Sequence, residues 1–241
     1  MKYFNIFLIF FSFAFGQIQY GGSPLLQPEK PINFITIDHN NLIEYNLDPM
    51  VLHYANEYEV DINVPQLATK VVNQYKTTFY LGIESPGAMS IGFHFDEFQL
   101  TKHTEMFIYD EEETMYIGSF NSKNNDFTGE KSTAVVKGDR VVIELTVPNH
   151  EVRDLELHMS IVTHDFLDFM NFHEDQTSDR EDCNDNVACS SGDDWRDQID
   201  AVVLVSGNGG LCSASLVNNT NYDKTPYILY AAHCNGGGSN T

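Results

Sequence analysis

From about Thr77 to His164 apolar side chains recur at alternate positions in short runs broken by turn signals. This pattern points to an antiparallel β-sandwich, with each sheet burying one face. Ile91, Phe93 and Phe95 fall on one side of such a strand, and Gly92, His94 and Asp96 on the other. Met106 to Tyr109 is a second run, closed by the acidic turn Asp110 to Glu113, and Tyr116 to Phe120 is a third. Thr133 to Val136, the turn Lys137-Gly138-Asp139 and Arg140 to Val147 read as a hairpin with Val141, Ile143, Leu145 and Val147 inward. A last run places Leu155, Leu157, Met159 and Ile161 on one face and Glu156, His158 and Ser160 on the other. A one-residue slip would expose the whole apolar set, so Phe93, Phe95, Ile143, Leu145, Leu157 and Met159 are expected to share one core. The unit is drawn at 76–165, about ninety residues, enough for an independent core.

The flanks lack that period. The chain opens on Met1-Lys2 and an apolar run from Ile6 to Phe15, then Ala14-Phe15-Gly16, which reads as a secretory signal peptide over 1–16 cleaved before Gln17. Residues 17–75 carry prolines at 24, 28, 31, 49 and 65 and read as an irregular leader or propeptide, with an edge strand starting in Leu67 to Val72. Residues 166–182 read as an acidic linker, and Glu174 to Asp182, with neither a period nor apolar anchors, as its site for proteolysis, with Arg180 as the basic target.

Thirteen basic against 35 acidic residues give a net charge of −22. Nucleic acid and anionic membrane would both repel such a surface. The sequence has no twelve-residue calcium loop, and His94 and His158 fall on predicted solvent faces rather than in a ligand-spaced set. No metal or other cofactor is therefore expected, and the chain reads as a monomer. All four cysteines, 183, 189, 212 and 234, lie in the last quarter, which marks a domain boundary near 183. In an exported protein they read as disulfide partners, and four cysteines allow three connectivities.

The last stretch holds Cys212-Ser213-Ala214-Ser215-Leu216-Val217-Asn218-Asn219-Thr220, a polar loop, and Tyr227-Ile228-Leu229-Tyr230-Ala231-Ala232-His233-Cys234. Ala-Ala-His-Cys after an apolar run resembles the catalytic-histidine motif of trypsin-like serine peptidases. With Cys183 to Cys189, the Arg196-Asp197-Gln198-Ile199 segment and Cys-x-x-Ser-Leu-Val-Asn-Asn-Thr, it is similar to the start of the lysyl endopeptidase-like domain in particular. The resemblance implies an all-β chain, in which the N-terminal sandwich is followed by the first strands of a trypsin-like double barrel over 183–241, cut short. It makes His233 the general base of a Ser/His/Asp triad acting on a protein or peptide substrate. Imidazole suits that role because its ordinary pKa lies near neutrality. The resemblance pairs Cys212 with Cys234, a bridge worth roughly 3 kcal/mol on the loop-entropy account. It leaves Cys183 and Cys189 to partners beyond Thr241, where the Asp and Ser are also expected. Tyr230 stands where that family often has Thr, and no Ile-Val-Gly-Gly-like start is present. On this reading the chain is a secreted zymogen segment, inert alone. The competing reading is a secreted binding or adhesion module with a peptidase-like fold and a closed disulfide set, such as 183 with 212 or 189 with 234.

Overall fold

The computed structural model describes residues 19–25, 31–45, 51–125, 127–171, 189–207, 209–218, 220 and 227–231. These residues form an all-β protein with three sheets. In the first sheet β1 (Asn33–Thr36), β5 (Lys76–Glu84), β11 (Arg140–Pro148), β7 (Glu105–Asp110) and β8 (Tyr116–Phe120) lie in that order. β4 (Thr69–Val72) shares the β5 edge with β1. In the second, β10 (Val136–Lys137), β6 (Ser90–Gln99), β12 (Glu156–Asp165) and β3 (Ala55–Asn63) lie in order, and β9 (Lys131–Ser132) also pairs with β6. β1 runs parallel to β5, and the other pairs are antiparallel.

The two sheets close on one core that includes all six residues expected there, Phe93, Phe95, Ile143, Leu145, Leu157 and Met159. Val141 and Val147 join them, so β11 keeps its inward phase from end to end. The edge strand expected at 67–72 is β4, which follows the single turn α1 (Val64–Leu67). Asn63 caps that turn by accepting the Gln66 amide, and Pro65 stands in the first turn, where its missing N–H costs nothing.

Two sequence expectations change. The described part of 17–75 is not an irregular leader, because it supplies β1, β3 and β4 to the sandwich. Residues 20–25 also join: the Tyr20 amide donates to the Ser119 carbonyl and the Leu25 amide to Glu144 Oε1. β3 hid its strand character because its buried residues, Ala55, Tyr58 and Ile62, do not alternate. Its pairing with β12 shifts register between Met159 and Ile161, and such a bulge changes which residue points inward. The same shift moves Ile161 partly out of the core and puts Val162 into it.

The second change concerns 133–147. β10 pairs with β6 in one sheet and β11 with β5 and β7 in the other, so the chain crosses between layers at Gly138 and makes no hairpin there. Gly138 sits at φ +97, a turn conformation that glycine adopts without strain. The C-terminal strands are β13 (Val202–Gly207), β14 (Gly210–Val217) and β15 (Tyr227–Leu229). Together with β2 (Leu52–His53) they form an open four-stranded sheet, and the described residues close no barrel. Val202, Leu204, Leu216, Ile228 and Leu229 are exposed, so among the described residues no second layer buries them.

Candidate functional site

β13 and β14 form an antiparallel hairpin with Val205 opposite Cys212, and β14 pairs onward with β15 from Ser215–Leu229 to Val217–Tyr227. β15 therefore runs toward the half of β14 that carries Cys212. Tyr230 and Ala231, which follow it, line an open concavity of about 410 Å³ with Val202, Ser213, Ala214, Ser215 and Leu229. Cys212 is disulfide-bonded, and its partner is not among the described residues. His233, Cys234 and Cys183 also lie outside the described residues.

Ahead of the hairpin, a 3-10 turn (Ser190–Trp195) leads into α2 (Arg196–Asp200). Arg196 ties the turn together by donating to Asp193 Oδ1 at 2.7 Å and to the Cys189 carbonyl at 3.2 Å. Cys189 itself is a free, exposed thiol. The Leu216 amide donates to the Ala201 carbonyl at 2.7 Å, fixing the end of α2 on β14.

Residues 177–241 match the family model for the lysyl endopeptidase C-terminal domain. The match covers α2, β13, β14 and β15, and it relates that stretch of the chain to lysyl endopeptidase-type peptidases. No solved structure matches the chain.

The sandwich places its own polar groups where they do structural work. His158, expected on a solvent face, does stand on the outer face of the second sheet. It joins three strands there, with Nδ1 2.6 Å from Asp96 Oδ1 and Nε2 2.8 Å from Asp61 Oδ1. Hydrogen bonding to Asp96 and then to Asp61 raises its pKa, against a smaller opposing effect of burial. His94 is half-buried, with Nδ1 2.9 Å from Ser132 Oγ across to β9. Among the described residues no three His, Cys, Asp or Glu side chains converge as a metal site.

One cluster had no signal in the sequence. Ser85 is fully buried, with Oγ 2.8 Å from His164 Nδ1 and 3.1 Å from His39 Nε2. Burial, then the neighbouring His39, lowers the His164 pKa, with Asp165 opposing. Its neighbour Asp165 is also fully buried; it accepts Ser90 Oγ at 2.7 Å and the Leu167 and Phe169 amides at 2.9 Å. Serine and two imidazoles within hydrogen-bond reach resemble a nucleophile and its base. Here the serine oxygen is closed to solvent and joins the ends of β5 and β12 to the His39 loop, so the cluster is a structural tie. Its members are far apart in sequence and follow no motif, so only the fold could bring them together.

Proposed function

We propose that the chain belongs to the precursor of a secreted serine endopeptidase, exported by residues 1–16, with the sandwich as its pro or accessory domain. In this reading His233 is the general base, bridge 212–234 holds the end of its strand, and the Asp and Ser come from sequence beyond Thr241. Processing falls after Arg180. The family match over the strands that lead to His233 carries the proposal, and the disulfide at Cys212 agrees with it. The chemistry follows from those parts. The imidazole of His233 takes the proton from the serine hydroxyl as it attacks the peptide carbonyl and returns it to the leaving amine. A clamp on its strand keeps the ring within reach.

The test uses the full-length secreted protein. His233→Ala should lower peptidase turnover by roughly six orders of magnitude and abolish labelling by a fluorophosphonate. Peptide mapping of the non-reduced protein should find Cys212 joined to Cys234. Undiminished turnover in His233→Ala, or Cys212 joined to Cys183, would overturn the reading.

A further inference from the structure

The third sheet is fastened to the sandwich by its hairpin turn. β13 occupies one edge of β14 along Gly210 to Ser215, so both other partners of β14 must use the opposite edge. β15 takes that edge at Ser215 to Val217, and β2 takes it at Gly210 and Leu211. Beyond β2 the backbone contact continues: the Tyr54 and Ala55 amides both donate to the Gly209 carbonyl, at 2.8 and 3.2 Å. The Gly209 amide in turn donates to Glu57 Oε1 at 3.2 Å. That carboxylate is aimed from within the sandwich, where it also accepts the Tyr45 hydroxyl at 2.5 Å and the Thr163 hydroxyl at 3.5 Å.

Two glycines make the approach feasible. A Cβ at Gly209, which sits at φ +71, would lie 2.1 Å from the Ala55 carbonyl oxygen, and one at Gly210 would lie 2.5 Å from Val51 Cγ1. Leu211 completes the contact by packing into a buried cluster with Tyr54, Ala55 and Val135. The Tyr54 hydroxyl bonds to Ser206 of β13, although burial is the larger effect and pushes its pKa up to about 12. β2 runs on into β3, a full strand of the sandwich, so the turn docks on a rigid element and not on a loop.

We propose that this clasp holds the sandwich on the C-terminal unit after the chain between them is cut, so that processing yields a non-covalent complex. While it is closed, β2 occupies the β14 edge at Gly210 and Leu211, and no other extended strand can add there. The proposal takes its setting from the precursor reading above. Its test makes the cut with an exogenous protease and measures association, so it stands or falls independently of peptidase activity.

A recognition site for a sequence-specific protease is placed between Asn171 and Cys189 of the full-length protein, which is then cleaved and passed through gel filtration. The two parts should co-elute, and the Tyr54 and Ala55 amides should stay protected from hydrogen exchange. Glu57→Ala and Gly209→Ala should each weaken the association at least tenfold. Glu57→Gln, which keeps an oxygen acceptor for the Gly209 amide, should retain it, as should Leu204→Ser on the exposed face of β13. Thermal melting of the uncut Glu57→Ala protein shows whether its sandwich is intact. Gly209→Ala, which lies outside the sandwich, supplies an independent reading. Separation of the parts on cleavage of the otherwise unchanged protein would overturn the proposal, as would co-elution of both weakened variants with unchanged affinity.

Discussion

Gly82→Ala should test whether β1 is an integral strand of the sandwich. Gly82 lies near the C-terminal end of β5, paired with Phe34 of β1, and a Cβ built on it would stand 2.4 to 2.5 Å from three carbons of the Phe34 ring. Carbon atoms rest at about 3.5–4 Å, so the ring would have to move by about 1 Å or more. It is held where it is: the Arg140 guanidinium lies 4.0 Å from the ring centroid, and Arg140 donates to Glu84 Oε1 at 2.7 Å and to Glu111 Oε2 at 2.5 Å. Glu84 also accepts the Thr36 hydroxyl at 3.0 Å, and these hydrogen bonds, Thr36 first and Arg140 second, hold its carboxyl pKa below the usual range. Overpacking of this kind costs about 1–3 kcal/mol, and losing the cation–π contact adds about 0.5–1 kcal/mol. The same substitution in a strand with room for a methyl group would stabilise by about 0.5–1 kcal/mol through the unfolded state. Gly82→Ala should therefore destabilise the wild-type chain by about 1–3 kcal/mol and be neutral or stabilising in a Phe34→Ala background. Urea unfolding of the four proteins of this double-mutant cycle, with hydrogen exchange at the β1 amides, measures the difference. Equal costs in the two backgrounds would refute the packing argument and detach β1 from the core.

The two perturbed histidines predict opposite pH dependences. The folded-state pKa of His158 is raised by Asp96 and Asp61, so its contribution is complete below about pH 6.5 and fades as pH rises through the raised value. Asp96→Asn should thus lower the unfolding midpoint at pH 5.5 and change it little at pH 9; an equal loss at both would show that the pair does not titrate as described. The folded-state pKa of His164 is lowered by burial and His39, so the folded state resists its protonation and stability falls as pH drops below about 6.5. His164→Asn should flatten that acidic limb, and an unchanged limb in thermal melts from pH 7 to pH 5 would assign it to other groups.

The central strands could be read from sequence because their burial follows a strict period, as in β11, whose Val141, Ile143, Leu145 and Val147 all reach the core. What escaped the sequence has identifiable physical causes. β3 gave a weak period because its buried residues, Ala55, Tyr58 and Ile62, are three and four positions apart and are separated by Asn56, Glu57, Glu59 and Asp61 along the strand. The outer face of the first sheet is covered too: Tyr80, Phe107, Tyr109 and Val142 form a second buried layer with Ile32, Phe34 and Val71 packed against it. A usable signal existed in the unbroken run Met106-Phe107-Ile108-Tyr109, since a strand buried on both faces has no polar side to show. That run implied a covering segment, and the covering segment is the stretch taken for a leader. At the candidate site a short motif stood out because its chemistry restricts residue type: a histidine beside a cysteine at the end of an apolar run. The clasp had no such signal, because backbone amides, a glycine carbonyl and one glutamate leave almost no trace in a sequence.

Covering and clasping are connected through the same N-terminal third of the chain. Residues 20–25 and 31–36 pack on the outer face of the first sheet, and the Leu25 amide donates a hydrogen bond at 2.8 Å to Glu144 Oε1, whose residue is only 1 % exposed. Residues 51–55 meet the hairpin turn and run on directly into β3. A segment that both completes the core of one unit and holds the strand edge of the next cannot be removed without exposing apolar surface on the first and unpaired backbone groups on the second. If the sandwich is a pro domain, its release from the C-terminal unit therefore requires more than a cut in the connecting chain. The clasp must open as well, and Gly209 is the residue on which that opening most directly depends.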